Sequence, residues 1–311
     1  MKIVFMGTPE FAVPSLRAIV QAGYEVAAVV TNPDEPQGRG LKVFPPAVKT
    51  AALELGLAVI QVESLKDPEF LRKLRGIAPD LMVVVAFRIL PKEVFTVPRL
   101  GTFNLHSSLL PKYRGAAPIN WAVVNGETET GITAFFLDEK MDTGKVILQK
   151  KTDIGENETA GELTARLSVI GAAAVVETIK LIESGNVKLI DQENSLATRA
   201  PKISKDDCAI EWNRPAKEVH DFIRGFSPEP GAFTFLNGKM LKVFRTRLAH
   251  ERANLPAGSV KVETGRLFAA CSDGLVEILE LQLEGKKRLA AAEFLRGARV
   301  AAGTNLTMSR A

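Results

Sequence analysis

Cysteine and histidine are scarce in this 311-residue chain, and their scarcity narrows the chemistry before any motif is read. Only Cys208 and Cys271 occur, without a CxxC pair, and only His106, His220 and His250 are there to assist them. A zinc cluster needs more ligands at closer spacing, so no metal is expected, and the thiols are expected to be reduced in a cytoplasmic protein. Long hydrophobic runs are missing too. The longest, residues 81–87, is far shorter than the ~20 residues that cross a bilayer. Polar residues follow the first apolar stretch too early for a signal peptide, so no membrane partner is expected. The three-glycine turn of dinucleotide folds is also absent. The first turn, Met6-Gly7-Thr8-Pro9-Glu10-Phe11, carries one glycine of the three, and Pro9 removes an amide that would face a phosphate. With no P-loop either, nucleotide cofactors are not expected.

What is present is material for a core. With 46% hydrophobic and 24% charged residues and no long polar tract, the chain is globular, and its length suggests two domains of roughly 150 residues each. The net charge of +4 is unevenly spread. From Lys205 onward there are 17 Lys+Arg against 13 Asp+Glu, which leaves 23 of the 40 basic and 23 of the 36 acidic residues before it. A basic module beside a neutral one points to a polyanion such as nucleic acid as partner of the last third.

Along the chain, residues 2–5, 26–30, 58–61 and 81–86 read as strands, and 11–21, 46–55 and 68–74 as helices, with Gly23 and Gly56 closing the first two helices. This alternation predicts an open α/β sheet with helices on both sides. Residues 146–149 then read as a strand, 160–185 as a long Ala-rich helix and 186–207 as an ordered crossing segment. After a helix at 215–225, short strands at 233–235, 239–245, 258–261, 266–270 and 274–282 are separated by turn residues, as in a small barrel.

The chemistry concentrates in two places. Phe103-Asn104-Leu105-His106 alternates like a strand, so Asn104 and His106 share a face, about 6–7 Å apart. An amide donor and an imidazole so placed suit polarisation of a carbonyl and stabilisation of the oxyanion formed when a nucleophile adds. Ser107-Ser108-Leu109-Leu110-Pro111 follows as a turn whose apolar residues suit a flat ligand, then Lys112-Tyr113-Arg114-Gly115-Ala116-Ala117-Pro118, small enough for close backbone approach. Asp142, in Glu139-Lys140-Met141-Asp142-Thr143-Gly144, is a loop carboxylate of the kind that orients an imidazole and fixes its tautomer.

These segments, together with Phe5-Met6-Gly7-Thr8-Pro9-Glu10-Phe11 and Asn32-Pro33-Asp34-Glu35-Pro36-Gln37-Gly38-Arg39-Gly40, resemble the folate-dependent formyltransferases, and most of all the members that act on initiator methionyl-tRNA. The resemblance implies an open, mostly parallel Rossmann-like sheet in a catalytic domain (1–188), a linker (189–206) and a C-terminal OB-like β-barrel (207–311). It implies 10-formyltetrahydrofolate as donor and the methionine α-amine on initiator tRNA as acceptor. Asn104 and His106 would bind the formyl oxygen, with Asp142 paired to His106. Folate would lie against Ser108, Leu109, Leu110 and Pro111 and against the stretch holding Phe87, Ile89 and Leu90. That stretch, Ala86-Phe87-Arg88-Ile89-Leu90-Pro91, is one residue shorter than is usual in the family, which often has a glycine there. Arg88 is expected either to meet the folate tail or to face solvent.

The resemblance also implies that the loop with Arg39 and Lys42 reaches the acceptor end of the tRNA, and that the barrel holds its backbone. Lys286 and Lys287 form the densest basic cluster with Arg288, and Lys205, Lys239, Lys242, Arg245 and Arg247 extend the supply. Two other readings compete. Formyl transfer to a small amine conflicts with the basic C-terminal module and the Arg39 loop, and a catalytically dead RNA-binding protein conflicts with retention of Asn104, His106 and Asp142. A monomer that binds no DNA is expected.

Overall fold

The computed structural model describes residues 1–37, 42–249, 255–297 and 304–309. They form two compact units, one of residues 1–115, 131–152 and 164–199, the other of residues 116–130, 153–163 and 200–311.

In chain order the first stretch runs β1 (Lys2–Gly7), α1 (Val13–Gln21), β2 (Glu25–Thr31), β3 (Glu35–Gln37), β4 (Lys42–Phe44), α2 (Ala47–Glu54), β5 (Val59–Gln61), α3 (Pro68–Ile77), β6 (Leu81–Val85), α4 (Lys92–Phe95) and β7 (Thr102–His106). It continues with β8 (Arg114–Gly115), α5 (Pro118–Val124), β9 (Glu129–Phe136), β10 (Val146–Asp153), α6 (Ala160–Glu183) and β11 (Arg199–Ala200). The main sheet of the first unit has the order β10-β9-β7-β6-β1-β2-β5. Strands β5, β2, β1, β6 and β7 are parallel, and β9 pairs antiparallel with β7. Every residue of β6, Leu-Met-Val-Val-Val, is buried, as a parallel strand covered on both faces requires.

The chain leaves β1 toward β2 and β5 on one side, then returns to add β6 and β7 on the other. The strand order therefore reverses between β1 and β6, and in open α/β sheets the crevice beyond the C-terminal ends of such strands is where ligands bind. Residues 86–91 leave β6 at this crevice. Several elements were not legible in the sequence, among them the hairpin β3–β4, the helices α4 and α5, the short strands β8 and β11, and β9. In β9 residues 130–135 are all buried, so polar and apolar positions do not alternate and the period-2 signal is lost.

The second unit is built on an antiparallel sheet: β12 (Ala232–Leu236), β13 (Lys239–Leu248), β14 (Val260–Glu263), β15 (Arg266–Ala270), β16 (Leu275–Leu283), β17 (Leu289–Ala290) and β18 (Leu306–Thr307). Its path is β14-β15-β16-β13-β12-β18, with β17 paired to β16. Irregular register around Arg245, where β13 meets β16, bends the sheet. The two ends of the path then meet: Val260 N–H donates to Thr304 O and Leu306 N–H to Gly258 O, both at 2.8 Å. Trp212, Phe226, Phe233 and Ile278 fill the interior, with α7 (Ala216–Gly225) and α8 (Ala291–Gly297) contributing Ile223 and Phe294. The expected order of a mostly parallel α/β sheet followed by a small barrel is thus the observed one. No helix among the described residues is long and apolar enough to cross a membrane.

Candidate active site

Strand β7 sets the first two polar residues. Leu105 points toward α6, where the position of a Cβ on Gly171 would lie 2.7 Å from the leucine Cδ2, so Asn104 and His106 project from the opposite face. His106 is buried, and Asn104 half-buried. The His106 Nε2–H donates to the Tyr113 carbonyl oxygen at 2.8 Å. A carbonyl only accepts, so this bond keeps the hydrogen on Nε2 and leaves the lone pair of the neutral ring on Nδ1. That nitrogen faces Asp142, whose Oδ2 stands 4.0 Å away. The sequence assigned the tautomer to Asp142. The structure assigns it to Tyr113, and the carboxylate instead lies at ion-pair range beside the free lone pair.

Asp142 occupies the turn between β9 and β10, where its Oδ2 accepts the Gly115 N–H at 2.9 Å. The turn has little room: a Cβ on Gly144 would lie 1.7 Å from the Phe136 carbonyl oxygen, so only glycine fits. Six described non-glycine residues have positive φ, and three of them stand here: Asp142 (+55°), Tyr113 (+60°) and Ala86 (+47°). Left-handed backbone at non-glycine residues is costly, and its concentration in the segments that carry the polar residues is what a preorganised site shows.

The turn after β7 is held from within. The buried Ser108 hydroxyl donates to Lys112 O at 2.6 Å. Thr133 Oγ1, on β9, donates to Ser108 O at 2.7 Å and accepts the Leu110 N–H at 3.1 Å. Gln149 Nε2, on β10, donates to Leu110 O at 2.7 Å. Leu110 is buried against Phe135 and Val146, while Leu109 and Pro111 remain half-buried. In the neighbouring stretch Phe87 is half-buried, Leu90 is buried and Ile89 is 73% exposed. Arg88 is half-buried and partnered within the chain. Its guanidinium donates to Val62 O at 2.7 Å and Glu63 O at 2.8 Å and lies 5.2 Å from the Phe87 ring centre, while its Nε is buried without an acceptor. A left-handed Ala86 and this arginine clamp shape the shortened segment.

The residues expected to meet nucleic acid separate into groups. Arg39 lies outside the described residues, and Lys42 is in β4 with its side chain likewise undescribed. Lys205, Lys286 and Lys287 are exposed, and Lys286 and Lys287 follow the turn after β16. Arg245 and Arg247 do not extend the supply of free charge. Arg245 pairs with Glu162, and Arg247 lies 2.8 Å from Glu277. Lys242 donates to Pro230 O at 2.8 Å. Arg266 also bonds Glu277 at 2.7 Å, and the two guanidiniums hold this buried carboxyl down at about 2. Among the described residues no group of three or more His, Cys, Asp or Glu is placed to hold a metal.

Residues 1–179 match the formyl transferase family, and residues 202–299 match the formyl transferase C-terminal domain. A methionyl-tRNA formyltransferase of Chlorobium luteolum is 51% identical over 96% of this chain and 97% of its own. That of Acidobacterium capsulatum is 50% identical over 98% of this chain and 99% of its own. The N-formyltransferase of Helicobacter canadensis, solved with folinic acid and dTDP-3-aminofucose, is 23% identical with a TM-score of 0.69, covering 93% of this chain and 100% of that one. At such identity the structural likeness speaks for the fold alone. The two domain matches in sequence order, and identity near one half over almost the whole length, lead to one conclusion: this chain belongs to the formyl transferase family.

Proposed function

We propose that the protein transfers the formyl group of 10-formyltetrahydrofolate to the α-amino group of methionyl-initiator tRNA, for translation initiation. The observation that carries the proposal is the Asn104–His106 face with a carboxylate 4.0 Å from the basic ring nitrogen, in a chain whose relatives of about 50% identity are methionyl-tRNA formyltransferases.

The amine nitrogen forms a bond to the formyl carbon, and negative charge grows on the formyl oxygen. The Asn104 amide N–H stabilises that charge. His106 Nδ1 takes the amine proton, since Nε2 already carries a hydrogen bound to Tyr113. The ring is then an imidazolium, stabilised by Asp142; as the tetrahedral intermediate collapses, the bond from the formyl carbon to the carrier nitrogen breaks and the Nδ1–H proton passes to that departing nitrogen. In its neutral form Nδ1 only accepts, so polarisation before attack falls to Asn104. The donor's flat heterocycle is assigned to the stretch at Phe87, Ile89 and Leu90, a reading supported by the buried Arg88 Nε–H beside it that has no acceptor. The turn Ser108, Leu109, Leu110 and Pro111 is assigned as a second wall.

Arg39, Lys42, Lys205, Lys286 and Lys287 are assigned to the tRNA, with catalysis in residues 1–188, a linker at 189–206 and tRNA binding in 207–311. The protein is taken to act as a cytoplasmic monomer, without DNA or a membrane. Formyl transfer onto charged initiator tRNA and onto small amines, including amino sugars linked to nucleotides, is measured side by side. Transfer to the tRNA is expected, and transfer to small amines alone refutes the proposal.

A further inference from the structure

Gln192 lies in the crossing segment after α6, in a stretch that no motif marks. Its side-chain amide nevertheless makes four hydrogen bonds. Nε2 donates to the main-chain oxygens of Asp142 at 2.9 Å and Gly144 at 2.8 Å. Oε1 accepts from Arg114 Nη2 at 2.7 Å and Nε at 3.2 Å. Two N–H donors and two lone pairs are the whole capacity of a carboxamide, so nothing is left over. Asn194 Oδ1 adds a further bond to Arg114 Nη2 at 2.9 Å. The residue after Arg114 is Gly115, whose N–H holds the Asp142 carboxylate at 2.9 Å.

A closed circuit results. It runs from the Gln192 amide to the Asp142 backbone, through the Asp142 side chain to Gly115, back to Arg114, and returns to Gln192. Asp142 sits in an irregular turn with φ of +55° and draws no support from a helix or a strand ladder. The circuit supplies that support from a segment 50 residues further along the chain. Misplacement of a reacting group by about 1 Å is enough to cost about 10²-fold in rate, so a residue that fixes this turn controls turnover without touching substrate.

We propose that Gln192 is a positioning residue for the reaction, holding the Asp142 turn and the Arg114–Gly115 strand in one register so that the carboxylate faces His106. The proposal rests on the reading of Asp142 as the partner of the catalytic base. Gln192→Glu is the sharpest probe. It keeps the size and still accepts from Arg114, but sets a carboxylate oxygen against two carbonyl oxygens in place of two donors. Gln192→Ala removes both halves of the contact.

Both variants are compared with wild type for kcat, for KM of each substrate and for Tm, and the Glu change is repeated in an Asp142→Asn background. Expected is a fall in kcat of about 10- to 100-fold for either single variant, with each KM within about twofold. In the Asp142→Asn background the Glu change is expected to cost less than about threefold more, because residues acting as a unit are not additive. A Gln192→Glu protein with wild-type kcat overturns the proposal, as does a full multiplicative loss in the double variant. Should the Ala variant fail to fold, the Glu variant and the double variant decide alone. Wild-type turnover in Asp142→Asn by itself overturns the underlying reading. A slow Asp142→Asn beside a normal Gln192→Glu overturns only the role of Gln192.

Discussion

Asp142→Asn removes one negative charge 4.0 Å from His106 Nδ1 and changes little else. Asparagine tolerates the left-handed backbone at this position, and its amide oxygen still accepts the Gly115 N–H. The interaction lost is between the carboxylate and an imidazolium, which exists only after the ring has taken a proton, so the loss falls on the transition state and not on substrate binding. At 4.0 Å and an effective dielectric of ~20, Coulomb's law gives about 4 kcal/mol. Each 1.36 kcal/mol is tenfold in rate, so turnover should fall by about 10³-fold. Both side chains are largely shielded from solvent, at 7% and 13% exposure, so screening removes only part of this, and about 10²-fold is the floor. The assay is single-turnover formyl transfer onto charged initiator tRNA, with tRNA affinity measured by filter binding and Tm by calorimetry. Affinity and Tm should be nearly unchanged. Turnover within about fivefold of wild type, or a loss of rate matched by a loss of tRNA affinity, would refute the reasoning.

Gly144→Ala places a methyl carbon against the Phe136 carbonyl oxygen, a backbone atom that cannot swing aside; the turn must move, and a loss of about 1–3 kcal/mol in urea denaturation together with slower turnover is expected. Normal stability in that variant would mean the turn is slack. Glu277 has its carboxyl lowered from 4.5 to about 2 by Arg266 and Arg247, so its stabilisation is fully present above pH ~4.5 and is lost as the pH falls toward ~2. Glu277→Gln should therefore weaken the second unit at pH 7, by at most about 3 kcal/mol because both guanidiniums are half exposed, and the gap from wild type should close on acidification. A gap at pH 2.5 undiminished from its value at pH 7 counts against the ion pairs as its source. Replacing Lys286 and Lys287 by glutamine should weaken tRNA binding and reduce the slope of log affinity against log salt by between about 1 and 2. An identical slope would remove that turn from the interface.

The fold was legible wherever one short stretch carried its own signal. Buried parallel strands such as β6 announce themselves as apolar runs, and the barrel strands by alternation between turn residues. Strand β9 escaped because a fully buried run of mixed residues has no period, and its partner β7 lies well upstream in the chain. Arg88 shows the same limit at the level of one side chain. Its acceptors, Val62 and Glu63, are 26 and 25 residues earlier, so no local pattern could have named them as partners of its guanidinium. Arg245 and Arg247 likewise counted as free charge in the sequence, because which carboxylates stand beside them depends on strand register and on a distant helix.

For this protein the sequence alone determined which family it resembles, and through that resemblance the kind of chemistry to expect. Residue types at spacings of two along a strand, followed by a turn and an Asp-Thr-Gly segment, are local facts, and local spacing is transmitted directly into which groups share a face. Tertiary structure alone decided what those groups stand beside. It set which ring nitrogen of His106 is basic, through Tyr113, and at what distance the Asp142 carboxylate stands. It also brought Gln192 against the Asp142 turn and paired Arg245 and Arg247 with carboxylates. Each of these rests on a hydrogen bond or ion pair between atoms far apart in the chain, and such partners are chosen by packing, which no local pattern records.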